Sequence, residues 1–108
     1  MTKEELTKRT KEFAHRCVKQ SLDLPKTQLG KHSAGQVIRC STSVASNYRA
    51  SCLAQLKVSF IAKLSIVLEG TDEPAFWLEF IVDEGLLKRK LIEPLLKEAE
   101  ELTAIFFS

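Results

Sequence analysis

Two sets of polar residues recur at helical spacing and could do chemistry together. Arg39, Ser43 and Asn47 stand four residues apart, as do Glu69, Glu73 and Trp77. On antiparallel helices these stripes would bring Arg39 and Asn47 opposite the carboxylates, where charge-assisted hydrogen bonds fix register and partner. Paired carboxylates beside an arginine are also material for general acid–base catalysis. That use needs a pocket and a second catalytic group, and the sequence points to neither, so a structural role is expected. Other catalytic patterns are missing, including a glycine-rich phosphate loop, a His-x-x-x-His pair and a Gly-x-Ser-x-Gly elbow. His15 and His32 lie on different segments, and the chain lacks the two Glu-x-x-His motifs of a four-helix di-iron site. The expectation is a protein that is not an enzyme and has no catalytic residues, cofactor or metal.

Cysteine points the same way. Cys17, Cys40 and Cys52 are odd in number and contain no Cys-x-x-Cys pair, which argues against a disulfide framework and a zinc site. Buried thiols acting as small hydrophobes are expected instead. The charges are more suggestive. Residues 1–63 hold 12 Lys/Arg against 4 Asp/Glu, a net of +8, while residues 64–108 hold 4 against 10, a net of −6. Either basic and acidic helices pack side by side and cancel, or a basic surface awaits an anionic partner. For nucleic acid, the candidate cations are Lys8, Arg9, Lys11, Arg49, Lys57 and the run Lys88-Arg89-Lys90. Phosphate contacts from such residues give sequence-independent, salt-dependent binding.

The elements that position these residues read as helices. At 108 residues the chain fits one domain, 1–108, and only three prolines and four glycines punctuate it. No apolar run approaches the roughly 18 residues needed to span a bilayer. The N-terminus has no apolar signal core, so no membrane association and a cytoplasmic location are expected. The first helix is predicted from about Thr2 to Leu22, with Leu6, Phe13, Ala14, Cys17, Val18 and Leu22 on its apolar face. Residues 25–33 read as a loop, with Ser33 capping a second helix over about Ala34–Ala50. Ser51 is expected to cap a third helix running to about Glu84, its core stripe formed by Leu53, Leu56, Phe60, Leu64, Val67, Thr71, Leu78 and Ile81. Gly70 and Pro74 interrupt it, but the apolar phase continues unshifted past both, which predicts a kink within one helix. Gly85 suits the position just beyond the helix end. A fourth helix is predicted over about Lys88–Phe107. Four helices with mostly short connections make an all-α, antiparallel up-down-up-down four-helix bundle.

The third helix carries more apolar surface than one bundle needs. At about 100° per residue, Ile66, Phe76, Trp77 and Phe80 project roughly 180° away from its core stripe. Exposed aromatic patches mark binding surfaces, which predicts self-association through this outer face.

Several stretches together resemble the four-helix-bundle family of 23S rRNA intervening-sequence proteins. They are Gln36-Val37-Ile38-Arg39, Ser43-Val44-Ala45-Ser46-Asn47-Tyr48-Arg49-Ala50 and Phe60-Ile61-Ala62-Lys63-Leu64, with the run Glu73–Glu79 and Gly85-Leu86-Leu87. The resemblance covers most of the chain. It implies a four-helix protomer that assembles into a ring-like homo-oligomer, a pentamer. A related branch, the accessory proteins of diversity-generating retroelements, forms basic pentameric barrels that bind nucleic acid and a reverse transcriptase. Many members have proline where this chain has Ala45, which implies a milder bend in the second helix. The acidic C-terminal half also makes this chain less basic than that branch. The expected function is that of a non-enzymatic homo-oligomer presenting cations to RNA or DNA. The alternative is a scaffold or accessory subunit that docks another protein.

Overall fold

The first helix starts at Thr2, whose hydroxyl accepts from the Glu5 amide at 3.1 Å and satisfies one of the unpaired donors of a helix start. In the computed structural model, which describes residues 1–108, this is α1 (Lys3–Ser21). It is followed by α2 (Gln28–Cys52), α3 (Lys57–Gly70), α4 (Glu73–Asp83) and α5 (Arg89–Phe106), without strands. α1 packs on α2, α2 on both α3 and α4, α4 on α5, and α5 returns to α1. Because α3 and α4 are two halves of one bundle member, the chain is an antiparallel four-helix bundle, as expected.

Where α3 meets α4, Thr71 and Asp72 keep helical dihedrals, φ/ψ −70°/−24° and −85°/−15°. Pro74 has no N–H to give the Gly70 carbonyl, and its ring crowds that carbonyl. The hydrogen-bond ladder is therefore interrupted while the helical phase carries through. Val67, Thr71, Leu78 and Ile81 are all buried on one side of the join. The expected single kinked helix is thus two helices in one phase.

Its start, however, differs from expectation. α2 continues to Cys52, and Ser51 caps nothing: it is buried and donates to the Tyr48 carbonyl at 2.6 Å. α3 begins only at Lys57, so Leu53 and Leu56 lie in the connection and are exposed, outside the core stripe assigned to them. The second helix also starts earlier than predicted. Thr27, not Ser33, is its cap, accepting from the Gly30 amide at 3.0 Å, which shortens the predicted loop. Ser33 is buried within α2. The serine-rich centre of α2, weak in propensity, stays helical because its hydroxyls bond back into the same helix: Thr42 to Ile38, Ser46 to Ser43. Small side chains such as Ser41 also let α1 approach closely there.

Two glycines are required by geometry. At Gly30 an added Cβ would stand 2.0 Å from the Pro25 carbonyl oxygen, so only glycine lets the α1–α2 turn fold against α2. Gly85 has φ +68°, and its amide and that of Leu86 reach the Val82 and Ile81 carbonyls at 3.0 Å. This is the Schellman arrangement that ends a helix with a left-handed residue.

The core is formed by Phe13, Cys17, Val37, Val44, Val67, Leu78, Ile81, Ile92, Leu96 and Leu102, with neighbours on the same stripes. Leu22, read as a stripe residue, falls at the end of α1 and faces solvent, as does Leu91 in the first turn of α5. Burial pushes the Cys17 and Cys40 thiols up to about 12, so both are neutral packing groups near neutral pH.

Candidate interaction surfaces

α3 is apolar on nearly every side yet buries only Val67 completely. α2 is its one substantial neighbour. α5 ends level with Thr71 and Tyr48, since Thr103 donates to the Thr71 carbonyl and Phe106 packs edge-on against Tyr48. The first turns of α3 therefore extend past α5, with Lys3 of α1 lying over the Phe60 ring. Val58 is left 79% exposed and Ile61 and Ile66 each 52%.

The same outward face continues onto α4, but not with all the residues expected of it. Ile66 and Phe76 do point outward, each 52% exposed. Trp77 does not: it is half-buried, packs edge-on against His32 of α2, and donates Nε1–H to Glu73 at 3.3 Å. Phe80 is also half-buried, stacked behind Phe76. One position along a helix turns a side chain by about 100°, enough to bring Trp77 against the bundle while Phe76 stays outside. Flanking Phe76 at spacings of three and four are Glu69, Asp72, Glu79 and Asp83, all exposed and none within ion-pair distance of a cation. Sequence reading missed this acidic stripe, although the spacing was there to find.

Of the five polar register residues, Arg39 and Glu73 meet as an ion pair between α2 and α4. Asn47 bonds only to Ser43 of its own helix at 3.1 Å, and Glu69 has no partner, so half of the expected cross-helix network does not form. The cavity beside Ser43, Asn47 and Glu73 is about 20 Å³, room for a single water. No three His, Cys, Asp or Glu side chains gather where they could hold a metal ion. No helix is long and apolar enough to cross a membrane.

The basic candidates divide by position. α1 and α2 run antiparallel, which places Lys8, Lys11, Arg49 and Lys57 toward one end of the bundle. Lys88, Arg89 and Lys90 start α5 at the other. Arg89 pairs with Glu93 on its own helix. Arg9 is withdrawn from the phosphate-binding set because it is a strut between α1 and α5. Its guanidinium grips both oxygens of Glu98 at 2.7 and 2.8 Å and reaches Glu101 at 2.7 Å. Lys8, Lys11, Arg49, Lys57, Lys88 and Lys90 have no carboxylate within ion-pair distance.

The Arg9 hydrogen bonds hold the Glu98 carboxyl below the usual carboxylate value of 4.5, against the opposing effect of burial. A carboxylate depressed in the folded state stabilises the fold above its unfolded pKa and stops doing so as pH falls through the folded one. Subunit stability should thus be level from pH 7 to about 5 and decline below the usual carboxylate range. Glu98→Gln should cost about 1.5–3 kcal/mol at pH 7 and flatten the acid decline. Urea unfolding across that pH series measures both.

Between α1 and α2, on a different face from the acidic stripe, lies an open groove of about 450 Å³. Ala14, Val18 and Ala45 contribute its apolar surface, and Lys11 and Arg49 supply cations, with His15 between them. No carboxylate lines it. Sequence reading singled out Lys11 and Arg49 but not the groove, which exists only once two helices are side by side.

Comparison with known proteins agrees with this fold. A family model described as 23S rRNA-intervening sequence protein matches residues 2–108. A crystal structure of a protein of unknown function from the S23 ribosomal protein family of Bacteroides thetaiotaomicron is 27% identical. It covers 94% of each chain and superposes with a TM-score of 0.84. No curated protein matches the chain.

Proposed function

The chain belongs to the 23S rRNA-intervening sequence protein family, and on that footing we propose that it is a non-catalytic subunit of a homo-oligomer, a pentameric ring, that binds RNA or DNA through phosphate contacts. The observation carrying this reading is α3, an apolar helix with almost nothing of its own subunit over its outer side. Leaving Val58, Ile61 and Ile66 in water forgoes about 25 cal/mol for each Å² of apolar surface that a neighbour would cover. Assembly also gives the cations their effect. One subunit presents each of its partner-free lysines once, whereas a closed ring repeats each of them around its axis and a polyanion can meet several at once. Lys8 and Lys57 at one end, and Lys88 and Lys90 at the other, are the residues assigned to phosphate.

Light scattering should give about 61 kDa, five times the 12.2 kDa subunit. Binding of a fluorescent duplex and of a single strand should weaken steeply with salt. One neutralised phosphate per subunit in a pentamer gives a slope of log K against log salt of about −4.5 for the duplex and about −3.5 for the single strand. Lys8→Glu with Lys57→Glu should flatten that slope while leaving the mass unchanged. A 12.2 kDa particle removes the assembly reading, and an assembled protein with no affinity at low salt removes the nucleic-acid reading.

A further inference from the structure

The groove between α1 and α2 and the acidic stripe of α4 match each other in charge, length and chemistry. The groove has an apolar floor, two cationic groups beside His15 and no carboxylate, and its α1 wall runs from Thr7 to Val18. The part of the stripe on α4, from Asp72 at its cap to Asp83, has an exposed phenyl ring near its centre, carboxylates on both sides and no cation. Each span covers twelve residues, eleven rises of 1.5 Å or about 16 Å. Inside one subunit they cannot meet, because α4 packs on α2 and α5 from another side of the bundle.

We infer that the α4 stripe of one copy docks into the α1–α2 groove of the next. Phe76 lies over Ala14 and Ala45, and Asp72, Glu79 and Asp83 face Lys11, His15 and Arg49. The occupant is thus a second copy of this chain, and the inference rests on the self-assembly reading. Phe76 suits the role because Trp77 and Phe80 back it on its own subunit, holding the ring outward. Two different patches are joined, so the contact is head-to-tail and propagates around a ring instead of stopping at a dimer. Val58, Ile61 and Ile66 continue the same outward face along α3 and extend the apolar part of the contact. The +8 and −6 halves of the sequence then have a joint use: the basic helices of one subunit receive the acidic helix of its neighbour.

Charge reversal tests this at exposed positions, where the subunit fold is not at stake. Glu79→Lys with Asp83→Lys, and separately Lys11→Glu with Arg49→Glu, should each drop the mass from about 61 kDa to the 12.2 kDa subunit, helicity unchanged. All four reversals in one chain should restore the assembled mass, because the complementarity is re-created with opposite sign. Phe76→Ser should raise the dissociation concentration at least tenfold. The inference is overturned if either two-site variant stays assembled, or if the four-site chain does not reassemble. It is equally overturned if the Lys11/Arg49 variant keeps its mass and loses nucleic acid, which would give the groove to phosphate. A wild-type chain that is itself a 12.2 kDa particle refutes the underlying assembly reading, a result distinct from all of these.

Discussion

Gly30→Ala lowers subunit stability by about 2–3 kcal/mol, while Gly35→Ala raises it by about 0.5–1 kcal/mol. Both glycines lie in α2, and in an ordinary helix interior alanine is preferred because glycine loses more backbone freedom on folding. At Gly35 nothing lies within 4 Å of an added Cβ, so the propensity gain stands alone. At Gly30 the Cβ meets the Pro25 carbonyl oxygen at 2.0 Å and its carbon at 2.9 Å. These are backbone atoms, and Leu24 just before them is buried, so the turn cannot swing aside cheaply. Thr27, whose hydroxyl caps α2, lies 3.2 Å from the same Cβ and would be displaced with it. For a domain of this size 1 kcal/mol moves the midpoint by about 4–8 °C, so the two variants should melt about 10–30 °C apart. Thermal and urea unfolding measure the difference. A Gly30→Ala protein as stable as the parent would mean that the α1–α2 turn has slack the structure does not show.

Leu78→Ala costs the subunit about 3–5 kcal/mol, and Phe76→Ala, two residues away on the same helix, costs less than about 1 kcal/mol. Leu78 is 1% exposed and clusters with Ile81 of its own helix and with Cys17, Val37 and Ile92 of α1, α2 and α5. Truncating it leaves a cavity that four converging helices cannot close, and the cavity adds to the lost transfer energy. Phe76 is half in water and its ring packs against Trp77 and Phe80 of its own α4. The measurement is unfolding at a concentration low enough to keep subunits apart. The two variants should then exchange places in an assembly assay: Phe76→Ala weakens association, and Leu78→Ala acts on the fold. If Phe76→Ala unfolds the isolated subunit as severely as Leu78→Ala, Phe76 belongs to the interior and the outward face loses its centre.

What could be read in advance differs from helix to helix. α1 and α5 were legible almost to the residue. Their apolar stripes are regular, Glu4 and Glu5 favour the start of α1, and Gly85 ends the helix before α5. The starts of α2 and α3 were not. Thr27 and Ser33 are comparable caps by residue type, as Ser51 is for α3, and serine also satisfies its hydroxyl inside a helix by bonding to its own carbonyls. The choice fell to packing: Gly30 lets the turn close early, so the helix begins early. The site divides in the same way. Phe76 was found by rotation about one helix, whereas Arg9 was misread because its carboxylates, Glu98 and Glu101, are about ninety residues away.

By itself the sequence determined the bundle: four amphipathic members, their order, and an apolar surplus on the third. Periodicity and capping act within a few residues of one another, so they are written locally. The tertiary structure alone decided which charges remain free, that Trp77 turns inward, and that a basic groove and an acidic stripe lie on different faces. Those outcomes depend on which helix lies beside which, and pairing between distant segments leaves no mark in the local pattern of either one.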